Sequence, residues 1–105
     1  MTELRIAPVH PGEMLSEEFL IPLEISPQKL AQAINISLQL IHDFLAGRQS
    51  ITADIALRLA RYLGTSAELW MNLQALYDLE RTRDEMAEQI KREIKPFMQA
   101  APVMV

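Results

Sequence analysis

The 105-residue sequence contains no cysteine, only three glycines and no long hydrophobic run. The absence of cysteine excludes disulfides, thiol nucleophiles and thiolate metal ligands. No apolar stretch approaches the roughly 20 residues that a membrane-spanning helix needs. The first residues also lack a basic segment followed by an apolar one, which is the pattern of a signal peptide. We therefore expect a cytoplasmic protein that has no contact with a membrane.

The sequence also lacks the motifs that catalysis or metal binding requires. Its two histidines, His10 and His42, lie in different predicted elements and do not have the spacing of metal ligands. There is no Gly-x-Gly-x-x-Gly, no Gly-Lys-Ser/Thr and no Gly-x-Ser-x-Gly motif. We predict that the protein is not an enzyme, with no catalytic residues, no metal site and no cofactor.

Apolar residues, which make up 50% of the chain, recur at helical spacing and do not alternate as they would in strands. This periodicity predicts an all-α protein with five main helices. The first helix runs to about Leu20, the fourth from about Ala53 to Leu63, and the fifth follows Ser66. The residues predicted to be largely buried are Ala31, Ile34, Ile41, Phe44, Ile55 and Leu59.

Residues 26–48 have the pattern of two short helices joined by a tight turn. Ser26 and Ser37 can each cap a helix, and Asn35 stands where the turn needs a residue that tolerates positive φ. The pattern is typical of a helix-turn-helix, whose second helix commonly enters the DNA major groove. An ordinary helical hairpin inside an all-α core is the alternative.

The charge of the chain is unusual for a DNA-binding protein. The net charge is −4, and no lysine or arginine lies between Leu30 and Gly47. Counterion release from DNA phosphates requires clustered basic side chains. We therefore expect modest affinity for each subunit, with a dimer or larger assembly binding the DNA.

The predicted fifth helix, over residues 69–79, is apolar on more than one face. A helix that is apolar most of the way round is usually buried on both sides. The pattern assigns the domain core to Leu69, Leu73 and Leu76. It assigns the interface of a homodimer to Trp70, Leu73 and Tyr77.

After Glu80 the sequence becomes highly charged, with sparse apolar residues four apart. This spacing predicts a thin amphipathic helix that Pro96 ends. We divide the chain accordingly into a helix-turn-helix domain over residues 8–83 and a charged C-terminal extension and tail over residues 84–105.

Three segments in the same order resemble HigA-type antitoxins. They are HPGEML near the N-terminus, the helix-turn-helix, and ITADIALRLARYLGTSAELWMNLQALYDLE at residues 51–80. These antitoxins are also called the VapI or plasmid-maintenance antidote group, within the lambda-repressor-like (XRE) class. The resemblance covers about residues 8–85. It implies a five-helix lambda-repressor-like domain that carries a C-terminal helical extension.

The resemblance also implies a function. Proteins of this type are homodimeric antitoxins of type II toxin–antitoxin operons. They neutralise a RelE-like mRNA-cleaving toxin and repress their own promoter, here expected at a palindromic operator in double-stranded DNA. Two alternatives share the fold: a stand-alone transcriptional regulator without a toxin, and a protein-only adaptor with a degenerate DNA-binding surface.

The resemblance places the start of the recognition helix near Ser37 and the side chains that follow it toward DNA. Positions before this helix and just after it correspond to phosphate contacts in the family. Lys29 adds a basic side chain that flanks the helix. The predicted DNA-binding residues are Gln28, Lys29, Ser37, Leu38, Gln39, His42, Asp43, Arg48 and Gln49.

Overall fold

The computed structural model describes residues 9–97, which contain helices and no strand. Helix α1 spans Pro11–Leu15 and continues as a wider π-helical segment over Ser16–Leu20. The remaining helices are α2 (Pro27–Ile34), α3 (Leu38–Leu45), α4 (Ala53–Leu63) and α5 (Ala67–Glu93). The prediction of an all-α, five-helix fold is confirmed. None of the helices within residues 9–97 is long and apolar enough to cross a membrane.

Local sequence rules set where the helices begin. The hydroxyls of Ser26, Ser37, Thr52 and Ser66 each accept a hydrogen bond from the backbone N–H three residues later, at distances of 3.0, 3.1, 3.3 and 3.0 Å. Each such bond satisfies one of the free N–H groups of a helix N-terminus. Asn35 ends α2 with φ 59°, the left-handed conformation expected for the turn.

A single core joins all five helices. The six residues predicted to be buried are buried, and α1 and α5 complete the cluster. Its members are Leu15, Leu20, Leu30, Ala31, Ile34, Ile41, Phe44, Ile51, Ile55, Ala56, Leu59 and Trp70.

Helix α5 presents a different face to this core from the one that the sequence pattern predicted. Trp70 is 0% exposed and packs against Phe19, whereas Leu69 and Leu76, which were assigned to the core, are 38% and 56% exposed. The prediction that Trp70 contacts a second subunit is therefore wrong, because its own chain covers it completely. Leu73 packs partly against the core, and Tyr77 is half-buried beside the ring of His10.

The fifth helix and the predicted amphipathic helix are one continuous element of 27 residues. The charged stretch after Glu80 consists mostly of arginine, glutamate, lysine and other good helix formers, and it contains no glycine or proline before Pro96. The predicted domain boundary between residues 83 and 84 thus lies within α5. Residue 8 and residues 98–105, which the predicted segments include, lie outside the described residues.

Candidate nucleic-acid interface

Two buried side chains fix the orientation of α3 and thereby its outer face. Ile41 and Phe44 are 3% and 2% exposed and anchor one side of the helix in the core. Gln39 and His42 consequently lie on the solvent side and are exposed, with Asp43 half-buried next to them. Because successive residues of a helix are separated by about 100°, the exposed residues share one face that is free to contact a ligand.

Predicted contact residues from α2 lie beside this face. Gln28 and Lys29 are both exposed in the first turn of α2. Leu38 is half-buried at the start of α3, where it packs partly against the core. Gln28 and Leu38 line a common groove between the two helices. The structure therefore brings residues from both halves of the helix-turn-helix to the same surface.

The remaining predicted residues have different environments. Ser37 uses its hydroxyl to cap α3, so its main contribution is to fix where the recognition helix begins. Arg48 is exposed on the segment that follows Gly47. Gln49 is half-buried, and its amide nitrogen donates to the carbonyl oxygen of Ser50 at 3.2 Å.

Hydrogen bonds join three of the predicted residues into a network. Asp43 Oδ1 accepts from Gln39 Nε2 at 3.0 Å and from Arg48 Nη2 at 3.1 Å. Arg48 is further held by its backbone N–H, which donates to the carbonyl of Asp43 at 2.8 Å. One carboxylate thus links the exposed face of α3 to the basic residue after it and forms an ion pair with that residue.

Arg58 supports the site from α4, and no pattern in the sequence indicates this role. Its guanidinium donates to the carbonyl oxygen of Ile34 at 2.8 Å and forms an ion pair with Asp54 at 2.9 Å. The Ile34 carbonyl is at the end of α2, where backbone acceptors have no partner within the helix. Arg58 therefore ties α4 to the turn of the helix-turn-helix. The two residues are 24 positions apart in the sequence, so the neighbouring residues of neither one predict the contact.

Gln74 supports the segment after α3 in a similar way. It is 5% exposed, and its Oε1 accepts from the backbone N–H of Ile51 at 2.7 Å. Its Nε2 donates to Asp78 Oδ1 at 3.0 Å. A buried N–H without a partner is costly. This contact therefore anchors to helix α5 the segment after α3, which carries Arg48.

His10 connects the start of α1 to α3 and α5. Its Nδ1 accepts from the N–H of Gly12 at 2.9 Å, and its ring packs edge-on against Phe44 and Tyr77. Burial lowers the pKa of His10 below its ordinary value, while the nearby Asp78 carboxylate opposes that shift. An unprotonated Nδ1 is the form that the Gly12 contact requires, so the neutral ring suits this position.

Comparison with known proteins places these features in a family. A family of helix-turn-helix domains matches residues 17–70. Antitoxin HigA-1 of Vibrio cholerae is 36% identical over 97 residues, which cover 92% of this chain and 90% of that protein. Virulence-associated protein I of Dichelobacter nodosus is 45% identical over 86 residues, which cover 82% of this chain and 75% of that protein.

The fold agrees with a solved structure of Pseudomonas aeruginosa antitoxin HigA with the higBA promoter. The two structures superpose with a TM-score of 0.84 at 44% sequence identity, over 87% of this chain and 99% of that one. The match thus includes the helix-turn-helix and nearly the whole length of the solved chain. The chain belongs to the HigA antitoxin family of helix-turn-helix proteins.

Proposed function

We propose that this protein is a homodimeric antitoxin that binds the operator of its own operon, represses that operon and neutralises a RelE-like mRNA-cleaving toxin. The observation that carries the DNA part is the exposed face of α3, held in place by Ile41 and Phe44. The HigA structure with promoter DNA supports it, since that relative shares the fold. The toxin part is supported by membership of the antitoxin family.

In this proposal α3 enters the major groove. Gln39 and His42 read base edges there, while Arg48, Lys29 and Gln28 lie beside the phosphates. Base contacts specify the sequence and phosphate contacts position the protein. The site has few basic side chains, and one of them, Arg48, forms an ion pair with Asp43. Nonspecific affinity is therefore weak, and two subunits are needed on a palindromic site, with recognition helices about 34 Å apart.

The dimer is supported by an apolar stripe on α5 that the core leaves uncovered. Leu79 is 53% exposed on the side of α5 opposite Trp70, and Leu76 is 56% exposed on the flank next to it. Positions 69, 76, 83 and 90 are seven residues apart, and positions 79 and 86 follow two of them by three residues. This is the spacing of the a and d positions of a coiled coil. Arg83, which shares one of these positions, is paired with Glu80 at 3.3 Å. We call this set the outer stripe: Leu69, Leu76, Leu79, Met86 and Ile90.

The second half of α5 provides an independent argument for a partner. From Arg81 to Glu93 every residue is exposed except Met86, which is half-buried. A helix of this length is marginal in water unless its apolar face is packed. A second copy of α5 on the outer stripe supplies that packing. We therefore place the dimer interface there and not at Trp70.

Replacing Leu79 with aspartate is expected to convert the dimer to a monomer, because it places two like charges inside the apolar contact. Size-exclusion chromatography with light scattering measures the mass directly. Leu57→Asp is the matched control, since Leu57 is 62% exposed on α4, outside the outer stripe. A wild-type protein that is monomeric at high micromolar concentration, or a dimer that survives Leu79→Asp, contradicts the interface.

Fluorescence anisotropy tests the DNA proposal with two duplexes: the promoter of the protein's own operon and a shuffled sequence of the same composition. We expect wild type to prefer the promoter. Gln39→Ala should reduce that preference, because it removes roughly 1–3 kcal/mol of discrimination at one base pair. Arg48→Ala should weaken binding to both duplexes alike. It should also lower the slope of log affinity against log salt concentration by about one ion per subunit.

Arg61→Ala serves as the control for loss of a positive charge, because Arg61 is exposed on α4 in the groove that faces Ala33 and Tyr62. Equal binding of both duplexes by wild type, with or without a toxin, would refute operator recognition. The protein-only adaptor would then be the better interpretation. That alternative is favoured by one observation, the lack of any lysine or arginine within α3.

A further inference from the structure

We propose that Asp43 is a specificity-determining residue, which fixes the amide of Gln39 so that it reads adenine and at the same time restrains Arg48. This inference rests on the proposed DNA-binding function and adds to it the origin of base preference. Asp43 faces the outer surface of α3 but is itself half-buried. Its role follows from the two hydrogen bonds that a single oxygen, Oδ1, accepts.

The first hydrogen bond selects one orientation of the Gln39 amide. With Nε2 donating to Asp43 Oδ1 at 3.0 Å, the amide oxygen Oε1 points away from the carboxylate. Rotation of the amide by 180° would bring two oxygens together, an electrostatically unfavourable contact. The carboxylate therefore determines which end of the amide is presented to DNA.

The orientation leaves Gln39 with one free N–H and one free acceptor oxygen. In the major groove adenine presents one acceptor, N7, and one donor, the N6 amino group, which complement that pair. Guanine presents two acceptors, N7 and O6, and needs two donors. Because one N–H of Gln39 is committed to Asp43, the restrained side chain matches adenine and not guanine.

The second hydrogen bond, from Arg48, affects the affinity of the protein for DNA of any sequence. Arg48 Nη2 donates to the same oxygen at 3.1 Å, and the arginine side chain is 66% exposed. The carboxylate therefore offsets part of the charge of a residue that attracts phosphates along any sequence. Restraining this charge lowers binding to nonspecific DNA while Gln39 retains its base contact. Asp43 thus increases the ratio of specific to nonspecific binding in two ways.

Two variants separate these effects. In Asp43→Asn the amide oxygen still accepts from Gln39 but the negative charge is gone. We therefore expect tighter binding to promoter and shuffled duplexes, with a steeper salt slope and an unchanged base preference. In Asp43→Ala the acceptor is also gone and the Gln39 amide is no longer restrained, so we expect a similar gain in affinity together with a weaker preference for adenine.

The measurement is fluorescence anisotropy on promoter duplexes in which each base pair is replaced in turn. Wild type should lose about tenfold in affinity when one A·T pair is changed to G·C, and Gln39→Ala should abolish that loss. Asp43→Ala should reduce that loss, because an unrestrained amide pairs with adenine less selectively, and Asp43→Asn should retain it in full. Glu88→Gln, an exposed charge change near the end of α5, is the control and should match wild type. Circular dichroism verifies that every variant is folded.

The outcomes separate this inference from the function on which it rests. If wild type binds promoter and shuffled duplexes equally, the proposed operator recognition is refuted, and the role of Asp43 with it. If wild type prefers the promoter and Asp43→Ala keeps the same dependence on the A·T pair, only the role of Asp43 is refuted. Loss of that dependence in Asp43→Asn would also contradict it, because the acceptor oxygen is still present.

Discussion

Replacement of Trp70 with alanine is expected to lower the free energy of unfolding by about 3–5 kcal/mol. Trp70 is 0% exposed, its ring packs against Phe19, and its Nε1 donates to Thr65 Oγ1 at 2.8 Å. The substitution removes the largest fully buried side chain of the described residues, leaves a cavity and deprives Thr65 of a partner. A domain of this size has a total stability of the same order. The variant is therefore expected to unfold at a much lower urea concentration than wild type.

Urea unfolding followed by far-ultraviolet circular dichroism measures this loss, because the chain has a single tryptophan and the variant has no tryptophan fluorescence. Leu57→Ala is the control, with an expected change within about 0.5 kcal/mol, as is usual for exposed positions. If Trp70→Ala were instead a stable, folded monomer, Trp70 would belong to the dimer interface as the sequence pattern suggested. Core burial predicts loss of structure even at high protein concentration.

The contrast between Trp70 and Leu76 shows where sequence reasoning fails in α5. The helix is apolar on several sides, so its periodicity does not determine which side faces the core. In the structure the side that faces the core is marked by Gln74, a polar residue that the pattern would place in solvent. Its bond to the Ile51 N–H requires Gln74 to face inward, and Trp70, one turn earlier, faces inward with it. Such a contact across 23 positions cannot be read from local sequence.

The helix-turn-helix, by contrast, was predictable almost residue by residue. Capping by Ser26 and Ser37 and the left-handed conformation of Asn35 depend on side chains and backbone within three residues of each position. These local rules set the two helices, and the apolar spacing then sets which sides of them are buried. The exposed positions of Gln39 and His42 follow from that spacing.

The interactions within the site were less predictable than its location. The Asp43 carboxylate is four residues from Gln39 and five from Arg48, so proximity was foreseeable, but the shared oxygen was not. The supports from Arg58 and His10 come from other helices. They depend on how α1 and α4 pack against the helix-turn-helix, and this is a property of the assembled core.

Replacing Gly12 with alanine is expected to destabilise the protein by about 3 kcal/mol, at the upper end of the range for overpacking. Gly12 is buried, and a Cβ atom at this position would overlap the backbone carbonyl of Phe44 in α3. A backbone group cannot move aside as a flexible side chain can, so α1 and the recognition helix would have to separate. The shift would also disturb the His10 contact, because the His10 ring lies near the same site.

Thermal unfolding and promoter binding together test this prediction, since both the stability and the position of α3 should change. Gly64→Ala is the matched control: Gly64 has φ +76° but no atom within 4 Å of the added Cβ. Its expected loss is only the roughly 1–2 kcal/mol of left-handed backbone strain, with promoter binding unchanged in the folded protein. A Gly12→Ala variant as stable as Gly64→Ala, with wild-type affinity for the promoter, would show that α1 does not pack closely against the recognition helix.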